Sequence, residues 1–287
     1  MKKIDQPPVK VEEIIDTCLR SLRNPAEQAA LTSLKPHLLR KEEEYFSQGS
    51  QGTLHSLRES LTNAGQKTFL KKLYTDKLAH KDGCCRAFYD KIKVQAADIC
   101  PYCEVGCITT MDHFLPKSEH PTFSITPINL VPACSDCNHF KHDKCPTTSS
   151  DAFVHPYFDD IEQDIWLCAN LDFERGIVYY TACPSTTFSR EMRKKIINTF
   201  YGLHLDHIYN LKGNSHLSYL KDFLKTHFKL ISSIPFLGRK LFFRYLQSVY
   251  QAYSRIAVNS WETALYRTLS TTPDYYNNGG YRKFGGR

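Results

Sequence analysis

Two short cysteine motifs constrain this chain more than any other feature of its sequence. CPYC (residues 100–103) and CSDC (residues 134–137) each place two cysteines three positions apart, and thirty residues lie between the motifs. Tetrahedral zinc takes four soft or borderline ligands, and two such turns supply four thiolates. We therefore expect a structural zinc ion that fixes the segment between the motifs. Its ligands are Cys100, Cys103, Cys134 and Cys137.

Two alternatives to this assignment stay open from the sequence alone. Four free cysteines in a core would give the same letters, because cysteine is among the most buried residue types. Cys107 also lies close enough to the first motif to replace Cys100 or Cys103 as a ligand. The other cysteines have no paired spacing, and we expect plain core or surface thiols at Cys18, Cys84, Cys85, Cys145, Cys168 and Cys183.

The bulk composition indicates a globular protein with no membrane segment. The 287 residues are 41% hydrophobic, which is enough for a sizeable core. No apolar h-region follows the basic start, and no apolar run approaches the roughly 20 residues that a membrane span requires. We expect a cytoplasmic protein, in which paired cysteine spacings favour metal over disulfides. The net charge of +7 is compatible with a polyanionic partner.

Hydrophobic periodicity predicts an α+β fold that is mostly helical and has three regions. Residues 1–97 form a helical N-terminal region, with a loop at SQGSQGT (47–53). Residues 98–146 form a small core flanked by the cysteine motifs. Residues 147–287 begin with a β-hairpin, since β-prone runs flank ERG within 164–182, and continue as helices.

Residues 65–93 are strongly basic, with eight Lys or Arg against three Asp. Such a stretch is either a solvated helix face or a surface that contacts phosphates beside the cysteine-flanked core. On the second interpretation, the residues that contact nucleic acid are Lys67, Lys71, Lys72 and Lys77.

A third pattern lies between and beside the cysteine motifs. Asp112 and His113 are adjacent, Asn129 follows sixteen residues after the histidine, and Asn138 comes directly after the last motif cysteine. In order and spacing, residues 98–146 resemble the HNH endonuclease family. That family has a ββα-metal fold of two strands and a helix, often with a Cys-x-x-Cys pair on each side.

The resemblance implies a metal-dependent endonuclease that hydrolyses phosphodiester bonds in DNA. His113 would be the general base, a role that suits a side chain with a pKa near 6.5. Asp112 would bind the catalytic Mg²⁺ or Mn²⁺, and Asn129 would orient the loop and the imidazole. Asn138 stands where the motif has its final histidine and would complete the metal site through its amide oxygen, which leaves the metal preference open.

The predicted helix after the second cysteine motif carries further candidates. His142 comes four residues after Asn138, so a continuous helix would place both on one face and make His142 an additional metal ligand. His139 and His142 could equally be surface residues. Lys141 and Lys144 on the same helix are candidate phosphate contacts.

The string HPYFDD (155–160) follows this core. Similar strings occur in proteins that resemble the HNH component of Septu and retron anti-phage systems. This implies an antiviral defence effector paired with an ATPase or another defence subunit. His155 and Asp159 either approach the active site or shape a turn. Two other functions stay open: a non-catalytic zinc ribbon that binds nucleic acid or a partner, and a scaffold built on the aromatic-rich helices at 216–270. No sequence feature indicates an oligomeric state.

Overall fold

The computed structural model describes residues 1–149, 151–228, 235–276 and 280–285. The chain divides into two compact units, Met1–Asp160 and Ile161–Arg287. The first unit contains every residue of the HNH-like pattern together with the N-terminal helices. Its core is shared, since Val11 and Leu34 of the helices belong to the same buried cluster as Met111 and Leu130. The division therefore differs from the predicted boundaries at 97/98 and 146/147.

Four helices lead into the cysteine-flanked segment: α1 (Val11–Ser21), α2 (Pro25–Gln51), α3 (Ala64–Leu73) and α4 (Arg86–Lys93). Their start points follow from capping residues. Asn24 accepts a hydrogen bond from the backbone N–H of Ala26, and Asn63 accepts one from Gln66. An accepting side chain at this position satisfies one of the free N–H groups of the first turn.

The loop expected at residues 47–53 is largely helical, and this part of the prediction was wrong. Helix α2 continues to Gln51 and ends at Gly52, which adopts a left-handed φ of 73°. Gly49 lies against the ring of Phe158, and any larger residue there would have to displace that ring. The glycines that suggested a linker therefore serve close packing and helix termination.

A small ββα arrangement follows in the first unit. Strand β1 (Thr110–His113) pairs antiparallel with β2 (Leu130–Ala133), and His113 lies opposite Leu130. Helix α5 (Ser135–Lys141) starts immediately after β2. Its N-cap is Cys134, whose sulfur accepts a hydrogen bond from the backbone N–H of Cys137. The N-cap contact places two motif cysteines within one turn of each other.

The second unit begins with the predicted hairpin, which is confirmed as β3 (Leu167–Asp172) and β4 (Ile177–Ala182). Five helices follow: α6 (Arg190–Gly202), α7 (Leu205–Phe228), α8 (Pro235–Ser254), α9 (Trp261–Thr271) and α10 (Pro273–Tyr276). Helices α7 and α9 pack against this hairpin. Across the described residues the fold is mostly helical with two small sheets, as expected for the predicted α+β class.

The second unit contains a disulfide that was not predicted from the sequence. Cys168 and Cys183, expected to be plain thiols, are bonded to each other. Cys168 lies on β3, and Cys183 follows β4 and donates its backbone N–H to the carbonyl of Trp166. The strand pairing thus brings the two Cα atoms to 5.9 Å, a separation that a disulfide spans. Of the helices in the described part of the chain, none combines the length and the apolar character of a membrane span.

Candidate functional site

The four motif cysteines form one buried cluster. Their sulfur atoms all lie within 4.8 Å of one another, and all four residues are buried. The Sγ atoms of Cys103 and Cys134 are 3.8 Å apart. Four sulfurs bound tetrahedrally to zinc at about 2.3 Å are about 3.8 Å apart, so the spacing fits such an ion. These four residues can hold a metal ion such as zinc.

A glycine shapes the first half of this cluster. The backbone N–H of Cys100 bonds the carbonyl of Gly106 at 2.9 Å, and the Gly106 N–H lies 3.3 Å from the sulfur of Cys103. A Cβ on Gly106 would lie 2.7 Å from the Cβ of Cys134, so no larger residue fits there without displacing a ligand. Cys107 is exposed and lies outside the cluster, which removes it as a competing ligand.

Asp112 is buried on β1 with both carboxylate oxygens engaged. It is 2% exposed, and its Oδ2 accepts a hydrogen bond of 2.9 Å from the hydroxyl of Tyr102. Its Oδ1 lies 3.0 Å from the ammonium of Lys141, which also donates to the carbonyl of His113 at 2.8 Å. Lys141 is only 1% exposed, so its position differs from that of the surface phosphate contact expected from the sequence. It turns inward from the end of α5 because the buried carboxylate needs a counter-charge.

His113 is a buried neutral histidine. Its Nε2 lies 2.9 Å from the carbonyl oxygen of Ser124, and because a carbonyl only accepts, this nitrogen carries the hydrogen. Nδ1 is therefore the ring nitrogen that can accept a proton. Burial lowers the pKa of His113 to about 3, opposed by the Ser124 contact and reinforced by the charges of Lys117 and Lys141. The ring of Tyr74 meets the imidazole edge to face at 4.3 Å.

Asn129 holds the loop that connects β1 to β2. Its side chain is fully buried, and its oxygen accepts from the backbone N–H of Leu115 at 2.8 Å and from the hydroxyl of Tyr45 at 3.0 Å. Its amide nitrogen donates to the carbonyls of Leu115 and Phe123, at 3.0 and 3.2 Å. Phe123 precedes Ser124, whose carbonyl receives the imidazole N–H. Asn129 thus positions the loop directly and the imidazole through that loop.

His155 contacts the same hydrogen-bond network through Tyr45. Its Nε2 lies 3.1 Å from the Tyr45 hydroxyl that bonds Asn129, and its ring lies 4.0 Å from that of Phe114. Its backbone N–H donates to the carboxylate of Asp159 at 2.8 Å, which closes a turn. HPYFDD therefore shapes a turn and also reaches the neighbourhood of the predicted site.

The C-terminal end of α5 differs from the expectation. The helix ends at Lys141, and His142 is the C-cap residue with a φ of 46°. Its side chain is 74% exposed. His142 therefore lies outside the helix and does not share a helical face with Asn138, contrary to the prediction. Asn138 is half-buried within α5, whereas His139 and Lys144 are exposed.

The basic residues predicted to contact DNA occupy two local structures. Lys67, Lys71 and Lys72 lie on α3, and Lys77 lies in the π-helical turn that follows. Lys67 and Lys71 are four apart and half-buried, while Lys72 is exposed with its ammonium 4.0 Å from Glu27. Helix α3 packs against the β1–β2 loop at Pro121–Phe123, so it lies beside the predicted site.

A second ammonium group near His113, besides that of Lys141, was not predicted from the sequence. Lys117, in the loop after β1, holds its ammonium 4.7 Å from the ring centroid of Tyr74. Burial lowers its pKa, and the charge of Lys71 acts in the same direction. A single lysine or tyrosine belongs to no sequence motif, so only its neighbours in the folded protein identify it as part of the site. The other polar residues missed in this way are Tyr45, Tyr74 and Tyr102.

Comparison with known proteins gives one informative similarity. The chain is similar to Protein ea31 of Escherichia phage lambda, with 29% identity over 305 aligned positions. The alignment covers 96% of this chain and 99% of that protein, so it spans both units. No protein-family model matches the chain, and no solved structure matches it.

Proposed function

We propose that this protein is a metal-dependent HNH endonuclease that hydrolyses phosphodiester bonds in DNA and carries a structural zinc ion. One observation supports this most. The buried, adjacent Asp112 and His113 lie on a strand of a ββα arrangement, and the imidazole is held neutral with Nδ1 available as a proton acceptor. A purely structural hairpin has no need to bury a carboxylate and an imidazole at successive positions of one strand.

The proposed roles follow from the chemistry of each side chain. His113 takes a proton at Nδ1 from the attacking water. Asp112 and Asn138 supply carboxylate and amide oxygens, the ligands that Mg²⁺ and Mn²⁺ prefer. When bound, the cation supplies charge stabilisation at the scissile phosphate. Tyr102 fixes the carboxylate through its hydroxyl, and Asn129 fixes the loop.

The low pKa of His113 is compatible with this role. At neutral pH the free protein keeps the imidazole unprotonated, because burial and two nearby ammonium groups disfavour the charged form. A phosphodiester that binds beside it brings a negative charge, which favours imidazolium and raises the pKa. Substrate binding would therefore strengthen the base when it is needed.

Phosphate contacts are proposed for the lysines beside this site. Lys67, Lys71, Lys72 and Lys77 lie on or after α3, and Lys117 lies on the adjoining loop. Such contacts bind DNA without reading its sequence. Sequence specificity would then come from a partner. The HPYFDD resemblance supports an anti-phage effector that acts with an ATPase or another defence subunit.

One observation favours a second candidate function. The ammonium of Lys141 already neutralises Asp112 within the fold. A non-catalytic zinc ribbon that binds nucleic acid or a partner protein would keep the four cysteines and this ion pair without any catalytic cation.

A plasmid-nicking assay separates the two functions. The wild type should nick plasmid DNA only when Mg²⁺ or Mn²⁺ is added. His113→Ala should lower the rate by about 10²–10⁴-fold, the usual contribution of a general base, with DNA affinity and zinc content retained. His139→Ala, at an exposed histidine on α5, is the matched control and should cut normally. A wild type that binds DNA but never cuts it would support the zinc ribbon.

A further inference from the structure

A second group of cysteines lies in the first unit, apart from the four motif cysteines. The sulfur atoms of Cys18, Cys84 and Cys85 all lie within 4.8 Å of one another. Cys85 lies at the centre, 3.4 Å from the sulfur of Cys18 and 3.7 Å from that of Cys84. Cys18 is on α1, 67 positions from Cys85 along the chain, so tertiary packing alone brings them together.

The backbone that presents the adjacent cysteines is tightly determined. Cys85 donates its N–H to the carbonyl of Lys77 at 2.9 Å, which folds the turn back onto the π-helical turn Tyr74–Ala79. A Cβ on Gly83 would collide with the carbonyl oxygen of Lys77 and lie 2.7 Å from its carbon, so glycine is required. Cys85 is also the N-cap of α4, so its backbone position is fixed by the start of that helix.

The three thiols differ in burial, and this difference suits a site whose metal ion exchanges with solvent. Cys18 and Cys85 are 1% and 0% exposed, whereas Cys84 is exposed. Packing of the two buried cysteines in the hydrophobic core does not require a third, exposed cysteine beside them. An ion could reach the cluster from solvent past Cys84 and be held from the inner side by the buried sulfurs.

We infer that Cys18, Cys84 and Cys85 form a second metal site, which takes a soft d¹⁰ cation such as Zn²⁺, Cu⁺ or Cd²⁺ on three thiolates. Soft thiolate ligands select these ions. Sulfurs bound to Zn²⁺ at about 2.3 Å lie about 3.8 Å apart in a tetrahedral site and about 4.0 Å apart in a trigonal one, so the observed 3.4 and 3.7 Å require a small outward movement. Binding releases the thiol protons and involves no change of oxidation state. It would tie α1 to the start of α4, independently of any nuclease activity.

Cadmium binding to the full-length protein tests this site. We expect ¹¹³Cd NMR of the reduced protein to give two signals, one from the four-thiolate cluster and one from the three-thiolate site. Cys84→Ser, at an exposed position that tolerates the change, should lose the second signal, keep the first, and bind one cation fewer per chain. Cys145→Ser, at a half-buried cysteine outside both clusters, is the control and should keep both signals.

Alkylation of the wild type provides a readout that does not depend on any variant. Saturating Cd²⁺ should protect Cys84 from a thiol reagent. A Cys84 that reacts equally fast with and without Cd²⁺ would overturn the inference, as would a wild-type spectrum that lacks the three-thiolate signal. A disulfide between Cys18 and Cys85 in protein purified without oxidant would also overturn it, since the ligands would then be consumed.

Discussion

The two hairpins of this protein differ in what they bury. The hairpin of β1 and β2 encloses Asp112, His113 and Asn129, and Lys141 reaches into it from α5. The hairpin of β3 and β4 has residues that alternate between interior and surface over part of its length, and its buried positions are apolar: Leu167, Ala169, Val178 and Tyr180. Each has cysteines nearby, but the first has a thiol cluster and the second a disulfide.

This difference supports placing the proposed chemistry on the first hairpin. A buried ion pair such as that of Asp112 and Lys141 is often no more stabilising than well-packed apolar residues, so stability alone gives little reason to keep it. Polar residues of the second unit instead satisfy backbone groups at a strand edge. Asn210 and Asn214 of α7 accept from the N–H groups of Tyr180 and Val178, and Asn259 accepts from Trp166. These contacts stabilise a sheet without creating a reactive site.

Loss of metal from the four-cysteine cluster should have the largest effect on the stability of either unit. Structural zinc contributes about 10–16 kcal/mol of binding free energy that is coupled to folding. Cys134→Ser should therefore abolish the cooperative unfolding transition of the first unit and the bound zinc, measured by calorimetry and elemental analysis. Cys107→Ser, at the exposed neighbour, should change neither. A zinc-free Cys134→Ser protein with wild-type melting would show that the cluster is only packing.

Removal of the ammonium beside Asp112 should have the next largest effect. Lys141→Met leaves a buried carboxylate without its partner, a change that usually costs about 3–5 kcal/mol. If Asp112 also binds a catalytic cation, Mg²⁺ should restore part of this loss, as seen in urea unfolding with and without the ion. Lys81→Met at an exposed lysine should be neutral. Equal destabilisation in both buffers would argue against Asp112 as a metal ligand.

Removal of the disulfide should have a smaller effect, confined to the second hairpin. Cys168 and Cys183 are 15 positions apart, and closure of a loop of that size stabilises by about 3 kcal/mol. Cys168→Ser with Cys183→Ser should lower the free energy of unfolding of the second unit by up to that amount and leave zinc content unchanged. A double variant with unchanged stability would mean that Asn259 and the α7 contacts suffice to hold the strands.

Neutralising the basic helix should have the smallest effect on stability, because exposed or half-exposed lysines contribute little to it. DNA binding by the wild type should fall steeply with salt. Changing Lys67, Lys71, Lys72 and Lys77 to Gln should flatten the slope of log affinity against log salt by up to about 0.9 per lost contact. The same change at Lys212, Lys221, Lys225 and Lys240 of α7 and α8 is the control. Identical slopes for wild type and the first variant would identify α3 as a solvated face.

The sequence by itself determined the parts of this protein that depend on short spacings. The two turns with cysteines three apart predicted one thiol cluster. The adjacent Asp112 and His113 predicted the polar strand, and the β-prone runs on both sides of residues 174–176 predicted the second hairpin. These predictions succeed because backbone geometry fixes how residues a few positions apart are placed. Two local patterns gave the wrong structure. Gly49 packs under a ring inside α2, and α5 ends one residue before His142.

Only the tertiary structure decided the contacts between residues far apart in the chain. The Tyr45 hydroxyl meets Asn129 and His155, Lys141 turns inward to Asp112, and Cys18 approaches Cys85. The sequence predicted the second hairpin but not its register, and that register brings Cys168 and Cys183 together. No spacing rule links such positions, because their approach depends on which helix faces pack together. The free energy of that packing is summed over the whole core.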